Sequence, residues 1–250
     1  MALKVKSILI SQPEPIGQRS PYYDLWDKYK VKIDFRPFIH VDPVSAKEFR
    51  RSKVRLDNYN AIIFNSRTAI QHFFRLTEEL RYEVPDSKKY FCANEAIAVF
   101  LQKFVTYRKR KVFFPIPGEK TFNEILLKYK NDKFLFPKSN VSKDELPSFL
   151  KKNKFKFAEA TMFKTVCSDL SDLADVNYDI IAFFSPSGIK SLFQNFPDFE
   201  QKNTRIAGFG PTTCQAIKEA GLDVNIKAPS QEAPSMLMAL ENYIKNEKKE

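Results

Sequence analysis

Tyr178-Asp179-Ile180-Ile181-Ala182-Phe183-Phe184-Ser185-Pro186-Ser187-Gly188-Ile189-Lys190-Ser191-Leu192-Phe193 reads as a strand, a tight turn and the opening of a helix. The unbroken apolar run from Ile180 to Phe184 suits a strand covered on both faces, as in a parallel sheet. Ser185 is a natural helix cap, and Pro186 fits the first helical position. Ile189, Leu192 and Phe193 then form one apolar helix face. Free N–H groups of Ser187 and Gly188 at such a helix start are expected to attract anions. The same residues also make an ordinary strand-helix unit with no ligand.

The stretch has an earlier echo. Tyr59-Asn60-Ala61-Ile62-Ile63-Phe64-Asn65-Ser66-Arg67-Thr68-Ala69-Ile70-Gln71-His72-Phe73-Phe74 matches it at a constant spacing of 119 residues (185 − 66), through strand, turn and helix. Tyr59 pairs with Tyr178, Phe64 with Phe183, Ser66 with Ser185 and Phe74 with Phe193. Such a repeat predicts two similarly built α/β halves, each offering an amide-rich turn to a ligand with many negative groups.

A chain of 250 residues accommodates two such halves. No apolar run approaches the length of a membrane span. Met1 to Lys6 leads straight into a short apolar strand, too short for a signal peptide, so a cytoplasmic location is expected. Cys92, Cys167 and Cys214 are scattered and odd in number, which suits reduced thiols and gives no metal-ligand spacing. His40 and His72 accompany no motif and read as ordinary surface or core histidines. The net charge of +11 favours an anionic partner. Arg108-Lys109-Arg110-Lys111 reads as a solvated loop rather than a nucleic-acid patch, since no nucleic-acid-binding motif accompanies it.

Alternating strand and helix signals continue along the chain. Strands are expected at 5–11, 31–38, 89–92, 112–115, 134–136, 158–166, 205–209 and 224–226, the one at 134–136 ending in the turn Pro137-Lys138-Ser139-Asn140. Helices are expected at 22–29, 44–56, 143–152 and 233–246. Gly210-Pro211-Thr212-Thr213 is a glycine turn into a helix that stops at Gly221, with one threonine capping and the other facing a ligand. The pattern is α/β with mainly parallel sheets, whose ligands bind at the carboxyl ends of the strands. The turns at Ser66-Arg67-Thr68, Ser185 to Gly188 and Gly210 to Thr213 are therefore the expected anion grip.

Phe183-Phe184-Ser185-Pro186-Ser187-Gly188-Ile189, Ile206 to Thr213, Ala220-Gly221-Leu222-Asp223-Val224 and Ala228-Pro229-Ser230 together resemble the uroporphyrinogen-III synthase family. The resemblance implies two flavodoxin-like lobes joined by a two-stranded connector. Residues 1–38 and 168–250 would form one lobe and 42–162 the other, with connectors near 36–44 and 160–168, where the half-exposed strands 31–38 and 158–166 lie. It further implies cyclisation of hydroxymethylbilane, a linear tetrapyrrole with eight carboxylates, to uroporphyrinogen III with inversion of ring D. No cofactor, metal, nucleic acid or membrane is implied, and a monomer is the expected form. A non-catalytic bilobed binder of a tetrapyrrole or other polycarboxylate is the alternative on the same scaffold.

Family members commonly end the first strand in Thr-Arg-Pro, where this chain has Ser11-Gln12-Pro13. Lys138 stands where an arginine is usual, and is expected to contact the substrate. Phe163 occupies the place of the family tyrosine, the usual candidate for protonating the leaving hydroxyl.

Overall fold

In the computed structural model, which describes residues 4–17, 19–142, 145–173 and 177–247, the short apolar runs become strands and the capped amphipathic segments become the helices that cover them. The chain divides into one unit of Met1–His40 and Val166–Glu250 and a second of Val41–Thr165. The first unit opens with β1 (Ser7–Ile10), α1 (Tyr23–Tyr29) and β2 (Lys32–Phe35). The chain passes out through β3 (Ile39–Pro43). In the second unit follow α2 (Ala46–Arg51), β4 (Ala61–Phe64), α3 (Arg67–Glu79), β5 (Lys89–Cys92), α4 (Glu95–Leu101), β6 (Val112–Phe113), α5 (Phe122–Lys128), β7 (Lys133–Ser139) and α6 (Glu145–Lys152). The chain returns through β8 (Lys156–Cys167) and completes the first unit with β9 (Ile180–Phe183), α7 (Pro186–Asn195), β10 (Arg205–Phe209), α8 (Pro211–Glu219), β11 (Val224–Ala228) and α9 (Met236–Glu247).

The first unit's sheet has the order β11-β10-β9-β1-β2, with parallel neighbours throughout. Counting strands as they occur within that unit, this is the flavodoxin-like order 2-1-3-4-5, with its switch point between β1 and β9. The second sheet runs β3-β8-β7-β4-β5-β6, parallel from β8 to β6, with the switch in strand order between the parallel neighbours β4 and β7. β4 and β9 lie inside their sheets and are buried at all four residues, as their continuous apolar runs require. Each sheet carries a separate apolar cluster on each face: Phe64, Ile70 and Phe73 on one face of the second and Phe91, Phe134 and Phe136 on the other. In the first unit Ile8, Ile180 and Leu240 oppose Leu9, Phe183 and Leu192.

Several expected elements differ. The strand expected at 31–38 is shorter: β2 stays in the first sheet and ends at Phe35, and β3, within the range 36–44, is a separate strand beyond Pro37, which has no N–H to continue a ladder. The helix expected at 44–56 stops at Arg51, because Lys53 takes a φ of 60°. The strand expected at 134–136 runs on to Ser139, so Pro137 and Lys138 lie within it. Pro137 is accommodated because the ladder to β4 ends at Leu135 while the ladder to β8 continues. The expected helix start at Lys143 and the charged tail at 248–250 lie outside the described residues. Among the described residues no helix is long and apolar enough to cross a membrane. The three cysteines are free thiols.

Candidate functional site

The carboxyl ends of the strands carry the turns singled out in the sequence. In the first unit the switch point is formed by Ser11 after β1 and Ser185 after β9. Ser185 caps α7: its hydroxyl accepts from the Gly188 N–H at 3.3 Å, and its carbonyl accepts from the same N–H at 3.0 Å. The Gly188 amide expected to be free is thus engaged. Pro186 has no N–H, and Ser187 contributes the remaining donor of that turn. Gly188 is buried, and a Cβ there would stand 3.2 Å from the Phe183 ring and 3.8 Å from Ser11 Oγ. Its missing side chain lets α7 pass closely over Phe183 and the sheet.

Next along the edge, Gly210 is the residue that caps α8, at a φ of 86°. No side chain caps this helix, so the expectation that one threonine does so is corrected. Thr213 is buried at 1% exposure, whereas Thr212 is exposed. The first turn of α8 therefore presents backbone amides with no side-chain cap, the arrangement that suits an anion.

In the second unit Ser66 caps α3 by accepting from the Ala69 N–H at 3.1 Å. Arg67 is exposed, its guanidinium 5.7 Å above the Phe100 ring, and Thr68 is half-buried beside it. Asn94 caps α4, and Thr121 with Glu124 forms a reciprocal capping box on α5. Between these two helix starts lies a cavity of about 520 Å³ lined by Asn94, Glu95, Ile116, Gly118, Glu119 and Lys120. Lys138, expected as a cationic contact, is bound to Glu159 across the β7–β8 ladder and is largely buried. Its charge is neutralised within the sheet, so the structure does not present it as a free cation.

At the end of β7, Ser139 Oγ lies 2.9 Å from Asn140 Oδ1 and 3.2 Å from Thr165 Oγ1, and Thr165 N–H donates to Asn140 Oδ1 at 2.8 Å. Phe163, in register with Ser139, is 7% exposed. Its ring stacks on His72 of α3 at 5.0 Å between centroids and 21° between planes. His72 is half-buried, with Nδ1 enclosed and lacking a hydrogen-bond partner. Burial first, and Arg75 second, lower its pKa. Sequence reasoning set His72 aside. The available signal was its place in the second turn of the helix that Ser66 opens. Among the described residues no group of three His, Cys, Asp or Glu side chains gathers in a way that could hold a metal ion.

Two doubly wound sheets, each with capped helix starts at the carboxyl ends of its strands, define a two-domain α/β protein of the kind that takes ligands at switch points. The family profile of uroporphyrinogen-III synthase HemD matches residues 24–238, and the chain belongs to that family. Uroporphyrinogen-III synthetase from Helicobacter pylori has the same fold, with a TM-score of 0.62 and 18% identity over 96% of this chain and 99% of that one. A mutant uroporphyrinogen III synthase from Thermus thermophilus aligns with a TM-score of 0.58 and 12% identity, over 98% of this chain and 100% of that one. No curated protein sequence matches significantly.

Proposed function

We propose that the chain is a uroporphyrinogen-III synthase. It would convert hydroxymethylbilane to uroporphyrinogen III by expelling the terminal hydroxyl as water, inverting ring D and closing the macrocycle. The observation that carries this reading is the family match across residues 24–238. The turns of each unit supply the means. The uncapped start of α8, the Ser187 amide and the polar turn at Ser66-Arg67-Thr68 are suited to substrate carboxylates. The net charge of +11 raises the local concentration of a polyanion. Unassisted ring closure of the bilane leaves ring D uninverted. The enzyme's task is therefore to hold ring D in a near-attack geometry, and that task falls to backbone amides and hydroxyls. The same reading makes the protein a cytoplasmic enzyme acting as a monomer. Incubation with freshly made hydroxymethylbilane, followed by separation of the isomers, tests it. Isomer III in excess supports the assignment. Isomer I alone rejects it and leaves a tetrapyrrole-binding protein.

A further inference from the structure

We infer that the imidazole of His72 protonates the departing hydroxyl of the substrate, an inference that rests on the synthase reading above. In that reaction the C–O bond of the hydroxymethyl group breaks as the lone pair of the adjacent pyrrole nitrogen pushes in. The Nε2–H proton of the imidazolium passes to the oxygen. The products of the step are water, a methylene-pyrroleninium cation and neutral imidazole. The proton is recovered when the closed macrocycle regains aromaticity by losing one.

The side chains nearest Phe163 at the second unit's carboxyl edge are poor sources of a proton. Serine and threonine hydroxyls do not release protons near neutral pH. Phe163 has none to give. Lys138 is held by Glu159. Tyr90 and Cys92 lie in the core with their pKa values pushed up to about 12. His72 lies flat against Phe163, which pairs with the last residue of β7, so its ring reaches the level of that strand's carboxyl end. Nδ1 is enclosed and unpartnered, so the proposed transfer is assigned to Nε2.

Arg67 and Glu78 of the same helix as His72 are exposed, and Arg75, Lys138 and Lys164 are paired. Arg75 of that helix holds Glu79 and the Val44 carbonyl, Lys138 of β7 holds Glu159 of β8, and Lys164 of β8 holds Glu48 of α2 at 2.6 Å. In the free protein, burial and Arg75 disfavour the imidazolium. A bound octacarboxylate reverses that balance by placing negative charge nearby. Substrate binding thus loads the proton that the reaction consumes.

The test is single-turnover conversion of hydroxymethylbilane across pH 5 to 9. The wild type should speed up as pH falls through the His72 pKa. His72→Gln should be slower by about a hundredfold, lose that pH dependence and keep its isomer ratio. Adding Phe163→Tyr to His72→Gln should restore at least tenfold of the rate, a rescue that a merely packing histidine would not allow. Independently of turnover, the His72 resonance, assigned by comparison with His40→Gln, should titrate at higher pH with uroporphyrinogen III bound than without. Isomer III from the wild type together with an unaltered rate and pH profile in His72→Gln overturns this inference alone, as does a His72 titration that ignores the bound product. No isomer III from the wild type overturns the functional reading and this inference with it.

Discussion

Ser66 and Ser185 occupy equivalent positions in the two units, and both make the cap hydrogen bond that their sequence context announced. Replacing either by alanine should cost about 1 kcal/mol, and the two losses should add, since the sites share no partners. Urea unfolding of the two single variants and the double variant measures this. Glycines are less legible. Gly188 and Gly208 are each defined by what lies beside their hydrogen atoms. A Cβ at Gly208 would meet Cys214 Sγ and Ile217 Cδ1 at 2.8 Å, so Gly208→Ala should destabilise by about 1–3 kcal/mol through overpacking. Gly188→Ala should cost less: the approach to Phe183 is 3.2 Å, and alanine regains up to about 1 kcal/mol of helix propensity. A larger loss at 188 than at 208 in denaturant midpoints would show that the Phe183 ring cannot yield. Thr213 teaches the same lesson. Its neighbour Thr212 has the same side chain in the same turn, and only tertiary packing decides that one is buried and the other exposed.

Elements with both a strong period and a cap were readable from the chain; those decided by pairing were not. β4, α3, β9 and α7 form where apolar runs and caps coincide. β7 extends through a proline because only one of its two ladders continues there, which local sequence does not encode. Its extension moves Lys138 out of an open turn and onto Glu159. The candidate site changes accordingly: a residue chosen for its charge becomes a cross-strand pair. Lys138 and Glu159 have 15% and 29% side-chain exposure, so their coupling should exceed that of a surface ion pair. Glu159→Gln should lower stability by about 1–2 kcal/mol by leaving the ammonium underpaired in the sheet. A double-mutant cycle with Lys138→Gln should show the two changes to be strongly non-additive. Additive losses would mean that each side chain acts through its packing alone.

For the whole molecule, buried phenols and a buried thiol set how stability responds to alkali. Burial pushes Tyr22 in the first unit up to about 12, and in the second unit it pushes Tyr90 and Cys92 up to about 12, with Asp86 adding to the effect at Tyr90. These are acids whose folded pKa lies above the unfolded value, about 10 for a phenol and about 8.5 for a thiol. The folded state then binds more protons than the unfolded state between those limits, so stability falls as pH rises. The contribution is fully present below the unfolded values and is lost progressively toward pH 12. Lys88 has the opposite sign: burial lowers its pKa, so alkali relieves the cost of its charge in the folded state. One such lysine is outweighed by Tyr22, Tyr90, Cys92 and Tyr178, all shifted the other way. Urea midpoints should therefore stay level between pH 7 and about 8.5 and fall steadily from there to pH 11. Tyr90 also stacks on Phe64 at 6.2 Å, a contact that phenylalanine preserves, so Tyr90→Phe should flatten the fall above pH 10 while leaving the neutral midpoint nearly unchanged. An alkaline fall equally steep in Tyr90→Phe would assign the loss of stability to general charge repulsion rather than to the buried phenol.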